Sequence, residues 1–383
     1  MMENNKIITP NSKCINNLLK HKHENQLLEL CEGTTDSYSL NQNMIHENRD
    51  FKENSNPRLV IDSKDDKIIV KLKYSQSTNF IICSLALSFD GNYFAYSNGR
   101  TVYLKKYQDG SVVNSWDIPN VDGREDSYTK GIDISKDAKL IAVRFSGNKI
   151  LIIRTTEKND YKILSNHVGC VFSILFLKKQ NIMLSGGNDG YLCIWNTEDM
   201  TLNKIIKHIP DELSKKRTNN KGKIISITTN KDESLIYIGF LDGEIGIYDS
   251  HFKEPMKVFR AHEKPLYSIS ISTLNGNLAT SSADNTIKIW KQCDEIKCVH
   301  ILQDHQSIVL NASFSPLEHV LFSTSKDESF KAWNDETGEL LFTVKYHQNS
   351  VFQIVHHPYK HSFLTSSGDG YICCWDYSIP NIY

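Results

Sequence analysis

The chain has 383 residues, 39% of them hydrophobic, which is enough for one large β domain or two ordinary ones. Its 44 Lys and Arg against 45 Asp and Glu leave a formal charge of -1, excluding a molecule-wide field for nucleic acid or anionic lipid but not a local basic patch. No stretch reaches the roughly 20 apolar residues that cross a bilayer, and the opening MMENNKIITPNSK lacks the basic and apolar regions of a secretion signal; the expected compartment is the nucleus or cytoplasm.

In chain order, residues 1–55 read as a polar, mostly disordered arm. Within it CINNLLKHKHENQLLELC, at 14–31, places Ile15, Leu18, Leu19, Leu27, Leu28 and Leu30 on one side of an interrupted helix, suited to docking, partner binding or self-association. From 56 to 383 the pattern changes to short alternating apolar runs between polar or Gly/Asn/Asp turns, the mark of antiparallel strands. KIIVKLKY at 67–74 is a lone strand of this kind.

Seven related units follow it. IICSLALSFDGNYFAYSNGRTVYL is the most diverged, and YTKGIDISKDAKLIAVRFSGNKILII has Gly147 and Ile153 where later units have Asp and Trp. The third ends at Trp195; the fourth, GKIISITTNKDESLIYIGFLDGEIGIYD, has Tyr248 there and Ile238 in place of a hydroxyl; the last three end at Trp290, Trp333 and Trp375. Those tryptophans are 43 and 42 residues apart, the period of one four-stranded sheet. A lone sheet cannot bury both faces, so neighbours must stack and the array must close. The last unit stops at DYSIPNIY without a fourth strand, and 67–74 is predicted to supply it, which also removes two open edges.

Four units repeat a His, a Ser or Thr, an Asp and a Trp: His167, Ser185, Asp189 and Trp195; His262, Thr280, Asp284 and Trp290; His305, Ser323, Asp327 and Trp333; His347, Thr365, Asp369 and Trp375. A hydrolase needs one such set, with an exposed nucleophile. Four copies, each with an indole, point instead to a hydrogen-bonded network that stiffens each unit, so no enzymatic activity is expected. Nine cysteines, an odd number without metal-ligand spacing, read mostly as small buried hydrophobes; Cys293 and Cys298 are the one pair that invites a zinc reading, and no cofactor is expected.

These residues resemble the WD40-repeat family over about 67–377. Its Trp-Asp pair survives as Trp375-Asp376 and, in weaker form, as Trp195-Asn196, Trp333-Asn334 and Tyr248-Asp249, and the four polar sets match its tetrad. The resemblance implies an all-β, seven-bladed WD40 β-propeller, closed by an N-terminal strand that completes the last blade. It also implies protein or short-peptide partners on the wide top face. Carried onto this chain, the partner-binding positions are Phe172, Tyr267, Leu310 and Phe352 at the channel mouth, with Asn188, Leu241 and Lys326 before the turn Asp. The apolar four either open onto the channel or pack between blades.

The units are also similar to those of Tup/Groucho-like transcriptional corepressors, implying a scaffold in transcription regulation, although the arm is far shorter than theirs. An insertion, KHIPDELSKKRTNNKG, stretches one spacing to 53 residues; its Lys215, Lys216 and Arg217, with Lys221 and Lys223, form a basic patch. That loop is either simply solvated or a contact for an acidic partner or nucleic acid, the second case suiting a subunit of a ribonucleoprotein or RNA-processing complex.

Overall fold

The computed structural model describes residues 59–65, 67–119, 129–145, 147–158, 160–207, 222–293 and 295–380. The 1–55 arm with its 14–31 helical pattern, and Lys215, Lys216, Arg217 and Lys221 of the basic patch, lie outside them.

The described strands form seven antiparallel sheets, five of them built from one repeat each in simple up-and-down order, the other two taking in strands from before the first repeat. The third is typical: Val171–Phe176 innermost, then Ile182–Gly187, Tyr191–Asn196 and Leu202–Lys207. Burial peaks in the two middle strands, is partial on the innermost, which borders the channel, and is lost on the outermost. In blade six the second strand, Val320–Ser325, is buried at every position, whereas in blade one the outermost, Val112–Asp117, is exposed at all but one. Short turns join the strands, and side-chain carboxylates cap them, as where Asp189 Oδ1 accepts from Tyr191 N–H at 3.1 Å. Gly243 takes φ +90° in the equivalent turn of blade four, where a Cβ would meet His262 O at 2.0 Å.

Seven apolar clusters occupy the seven junctions between blades. Ala86, Val102 and Trp116 of blade one meet Ile132, Ile141 and Ile153 of blade two; Phe330 and Phe342 of blade six meet Phe363 and Trp375 of blade seven. Each sheet therefore buries its two faces against its two neighbours, the requirement that forces a ring. The tetrad tryptophans face the preceding blade, and Tyr248 and Ile153 fill the same place without the polar set.

Ile69–Ser77 pairs antiparallel with Tyr371–Ser378, Leu72 opposite Trp375, and so supplies the outer strand of blade seven. The seam with blade one is hydrogen-bonded: Tyr74 Oη donates to Tyr107 O at 2.7 Å, Tyr107 Oη lies 2.7 Å from Ser362 Oγ, and Ser362 Oγ donates to Trp375 O at 2.8 Å. Burial drives the Tyr107 phenol far above its ordinary range, which keeps it a neutral donor. One strand was absent from the sequence reading. Val60–Ser63 adds a fifth strand to blade six, pairing with Leu340–Lys345 before the chain crosses to blade seven.

The cysteines depart from their expectation. Of the seven described, only Cys193, Cys373 and Cys374 are buried; Cys293 and Cys298 are exposed, because they sit at the rim of an outer hairpin rather than on an inner strand. Among the described residues no group of three His, Cys, Asp or Glu could hold a metal ion.

Candidate functional site

Because Val171 pairs with Gly187, the start of each inner strand and the turn after the second strand lie at one end of the blade, the top face. The four polar sets stand just beneath it. His167 Nδ1 is 2.8 Å from Asp189 Oδ2, its Nε2 2.8 Å from Ser185 Oγ, and Trp195 Nε1 donates to Ser185 Oγ at 2.8 Å. The sets around His262, His305 and His347 repeat this with distances of 2.7 to 3.0 Å. The carboxylate can only accept, so Nδ1 carries the proton, the hydroxyl donates to Nε2, and the indole donates to the hydroxyl.

The charge sits on the carboxylates. Burial alone would raise Asp284, but hydrogen bonds from His262 and Thr286 outweigh it and hold the carboxyl at about 2. Asp327 is held down by His305 in the same way, and burial keeps His305 itself below the ordinary imidazole value. Ser185, Thr280, Ser323 and Thr365 are each 0% exposed, so no substrate reaches a hydroxyl and none serves as a nucleophile.

Nearer the axis lies a second set of bonds that the sequence reading missed. At every junction a side chain on one inner strand accepts from a backbone N–H of the next. Ser84 takes Ile132 N–H, Asp133 takes Phe176, Ser173 takes Ile227 and Ser226 takes Ile269. Ser268 takes Ala312, Asn311 takes Ile354 and Gln353 takes Leu85, which closes the circle. Six acceptors occupy the same place in their strands; in blade two that place is Gly131, and Asp133 substitutes from two residues on.

The channel mouth is built by bulges. In blades two to seven the pairing of the inner strand slips by one residue at its start, and the skipped residues are Lys130, Phe172, Ile225, Tyr267, Leu310 and Phe352. A bulge re-aims the side chain it carries. The structure thus brings Phe172, Tyr267, Leu310 and Phe352 to equivalent places, with Ile225 and Lys130, which the sequence reading had not singled out. Tyr267, Leu310 and Phe352 are half-buried, but Phe172 is 5% exposed and Leu241 2%, so those two offer almost no surface. Asn188 is half-buried with its Oδ1 enclosed, and the Lys326 amine is depressed below the ordinary lysine value by burial. Apolar side chains not foreseen also open on this end: Phe80 and Ile81 in the loop entering blade one, and Val168, which at 78% is the most exposed large hydrophobic residue described. A cavity of about 380 Å³ lies among the inner strands, lined by Thr228, Ser270, Asn311, Ser313, Gln353 and His356, among others.

The family model described as WD domain, G-beta repeat matches residues 158–196, 253–291, 296–334 and 338–376, which hold the four tetrad tryptophans. The chain is 22% identical over 215 residues to Periodic tryptophan protein 2 of Arabidopsis thaliana, covering 56% of this chain and 23% of that protein. It is 25% identical over 220 residues to Target of rapamycin complex subunit LST8 of Saccharomyces cerevisiae, covering 47% of this chain and 72% of the relative. To the Lissencephaly-1 homolog of Caenorhabditis briggsae it is 34% identical over 113 residues, 29% of this chain and 28% of that one. The matched stretch is thus about a quarter of the plant and nematode proteins and most of the yeast one.

Proposed function

Since this chain is a WD40-repeat β-propeller protein, a non-catalytic scaffold for protein–protein interaction, we propose that its partner is a short segment of another protein seated on the top face over the channel mouth. The observation that carries this reading is the set of half-open apolar bulge residues, Ile225, Tyr267, Leu310 and Phe352, beside the exposed Phe80, Ile81 and Val168. Other exposed apolar side chains, such as Val112, Ile163, Val258 and Ile301, are scattered over the outermost strands of separate blades, whereas those at the mouth recur at one place around the axis, and a gathered apolar centre is the anatomy of a binding hot spot. A relative named as a complex subunit agrees with a platform role. A Tup/Groucho-like setting, in which the bound segment belongs to a transcriptional repressor, rests on sequence resemblance alone.

The test is affinity purification from native cells with mass spectrometry, comparing the parent chain with Tyr267→Ala/Phe352→Ala. Specific partners should be lost from the double variant while its thermal unfolding stays cooperative. An unchanged partner list refutes the top-face site.

A further inference from the structure

We infer that the bound segment carries an Asp or Glu side chain between two apolar residues, and that the Lys326 amine of blade six receives it; this rests on the top face being the partner site. Lys326 begins the turn after the second strand, one step beyond the pairing of Val309 with Ser325, and its backbone N–H donates to Ile308 O at 2.9 Å. That places it at the mouth, in the same blade as the bulge residue Leu310. At the same place blades three, four, five and seven have Asn188, Leu241, Ala283 and Gly368, so among these five blades the cation is particular to blade six.

The amine is drawn out of water without a partner. Lys105, Lys178 and Lys288 are half-buried and Lys331 is buried, and each gives a proton to an acceptor: Gln76 Oε1, Ile134 O, Ala261 O and Asp304 Oδ2. Lys326 is half-buried too, yet its amine meets no acceptor or carboxylate among the described residues, and burial alone acts on its charge. The top turns of blades five to seven all fall within the described residues, and the carboxylates there are engaged or open to water. Asp327 accepts from His305, Gln306 N–H and Ser329, Asp284 from His262 and Thr286, and Asp369 from His347, Gln348 N–H and Tyr371 N–H. Asp304 is held by Lys331, and Glu263 and Glu328 are exposed. A half-desolvated ammonium left unpaired costs free energy, which an incoming anion offsets.

The chemistry of the anion follows from what surrounds the amine. Apolar bulge residues run past Lys326 in both directions, Ile225 and Tyr267 on blades four and five and Phe352 on blade seven. A segment that covers them continues on both sides of the lysine and offers it a side chain rather than a chain end. A phosphate carries nearly two charges and is best met by several donors or a guanidinium, whereas a lysine is a single point charge, matched by one carboxylate.

The experiment uses the full chain and short fluorescent peptides, blocked at both ends, with Leu, Ile or Phe on either side of a central Glu, Gln, Lys or phosphoserine, together with the Gln peptide bearing a free C-terminus. Fluorescence polarisation should give the Glu peptide at least about tenfold tighter binding than the blocked Gln peptide, an advantage that shrinks with salt and disappears in Lys326→Gln. Lys326→Gln should bind the blocked Gln peptide as the parent does, which separates loss of the charge from damage to the mouth. Lys326→Glu should reverse the order and favour the Lys peptide. Equal binding of Glu and Gln peptides by the parent, with loss of both in Tyr267→Ala/Phe352→Ala, overturns the acidic side chain and leaves the top-face reading standing. So does a Glu preference that persists in Lys326→Gln, and so does tightest binding by the free-ended Gln, phosphoserine or Lys peptide. Binding that survives Tyr267→Ala/Phe352→Ala overturns the top-face reading itself, and failure of every peptide counts against both.

Discussion

Gln353 Oε1 in the last blade accepts a 2.9 Å hydrogen bond from Leu85 N–H in the first, and with it the circle of inter-blade bonds around the axis is complete. Gln353→Met keeps the length of the side chain and removes the acceptor, leaving a buried N–H without a partner. The expected loss is about 1–3 kcal/mol in urea unfolding. A midpoint equal to that of the parent would mean that the apolar seam alone closes the ring.

The tetrads make a different prediction. Ser323 Oγ is shared by His305 and the Trp333 indole, so Ser323→Ala strands one acceptor and one donor at once. A cost of about 2–4 kcal/mol is expected, larger than for a single lost bond, because members of one network are not additive. In blade four the equivalent residue is Ile238, buried against apolar neighbours, and Ile238→Val should cost only about 0.5–1.5 kcal/mol. Equal costs at the two sites would argue against the network as the stiffer clamp.

Three buried hydroxyls have no hydrogen-bond partner among the described residues: Ser281, Thr324 and Ser366, at the same place in blades five, six and seven. Each is 0% exposed and lies in a wholly buried strand. Thr324→Val removes the polar atom and keeps the shape, so stability should be unchanged or rise by about 1 kcal/mol in thermal or urea unfolding. A marked loss would show that the hydroxyl is satisfied.

How far the sequence could be read depended on what each bond joins. The tetrads were legible because both partners are side chains at fixed separations: His to Ser or Thr 18 residues, His to Asp 22, and Ser or Thr to Trp 10, in all four blades. The inner circle was not, since Ser173, Asn311 and Gln353 share no chemistry except an acceptor, and their partners are backbone N–H groups that leave no mark on sequence. Ile69–Ser77 announced itself by alternation, whereas Val60–Ser63 is four residues long and exposed at three, with no burial to pattern it. Phe172 and Tyr267 occupy the same bulge, yet one is buried and the other half-open; an apolar letter is the same in either case.

The two N-terminal strands should contribute very unequally. Val60–Ser63 lies on an edge and covers little, so beginning the chain at residue 65 should lower the unfolding midpoint only slightly. Beginning it at residue 79 also removes Ile69–Ser77 and with it the cover over Tyr371–Ser378 and the Tyr74 bond to Tyr107. That protein should lose cooperative unfolding or aggregate through its open edge, as read by calorimetry and size-exclusion chromatography. Similar behaviour of the two truncations would refute the clasp.

Acid should loosen the ring in two separate stages. His357 is 2% exposed beside Gly91 and Tyr107, and burial, then the charges of Lys360 and Lys73, push its imidazole down from 6.5 to about 4; burial does the same to His356. His357 Nδ1 also accepts from Tyr359 N–H at 3.1 Å, a bond that only the unprotonated nitrogen can make. For both histidines the unfolded chain binds the proton more readily than the folded one, so stability declines as pH falls from about 6.5 toward 4, by up to about 1.4 kcal/mol for each unit of depression. Asp284, held at about 2, contributes stability above the ordinary carboxyl value of 3.8 that is lost only as pH falls from there toward 2. In urea titrations His357→Gln, which keeps an acceptor for Tyr359, should flatten the dependence between pH 6.5 and 4 and leave the lower limb intact. Asp284→Asn should flatten the lower limb alone. A slope between pH 6.5 and 4 that is the same in His357→Gln and the parent would mean that His357 takes up its proton in the folded ring.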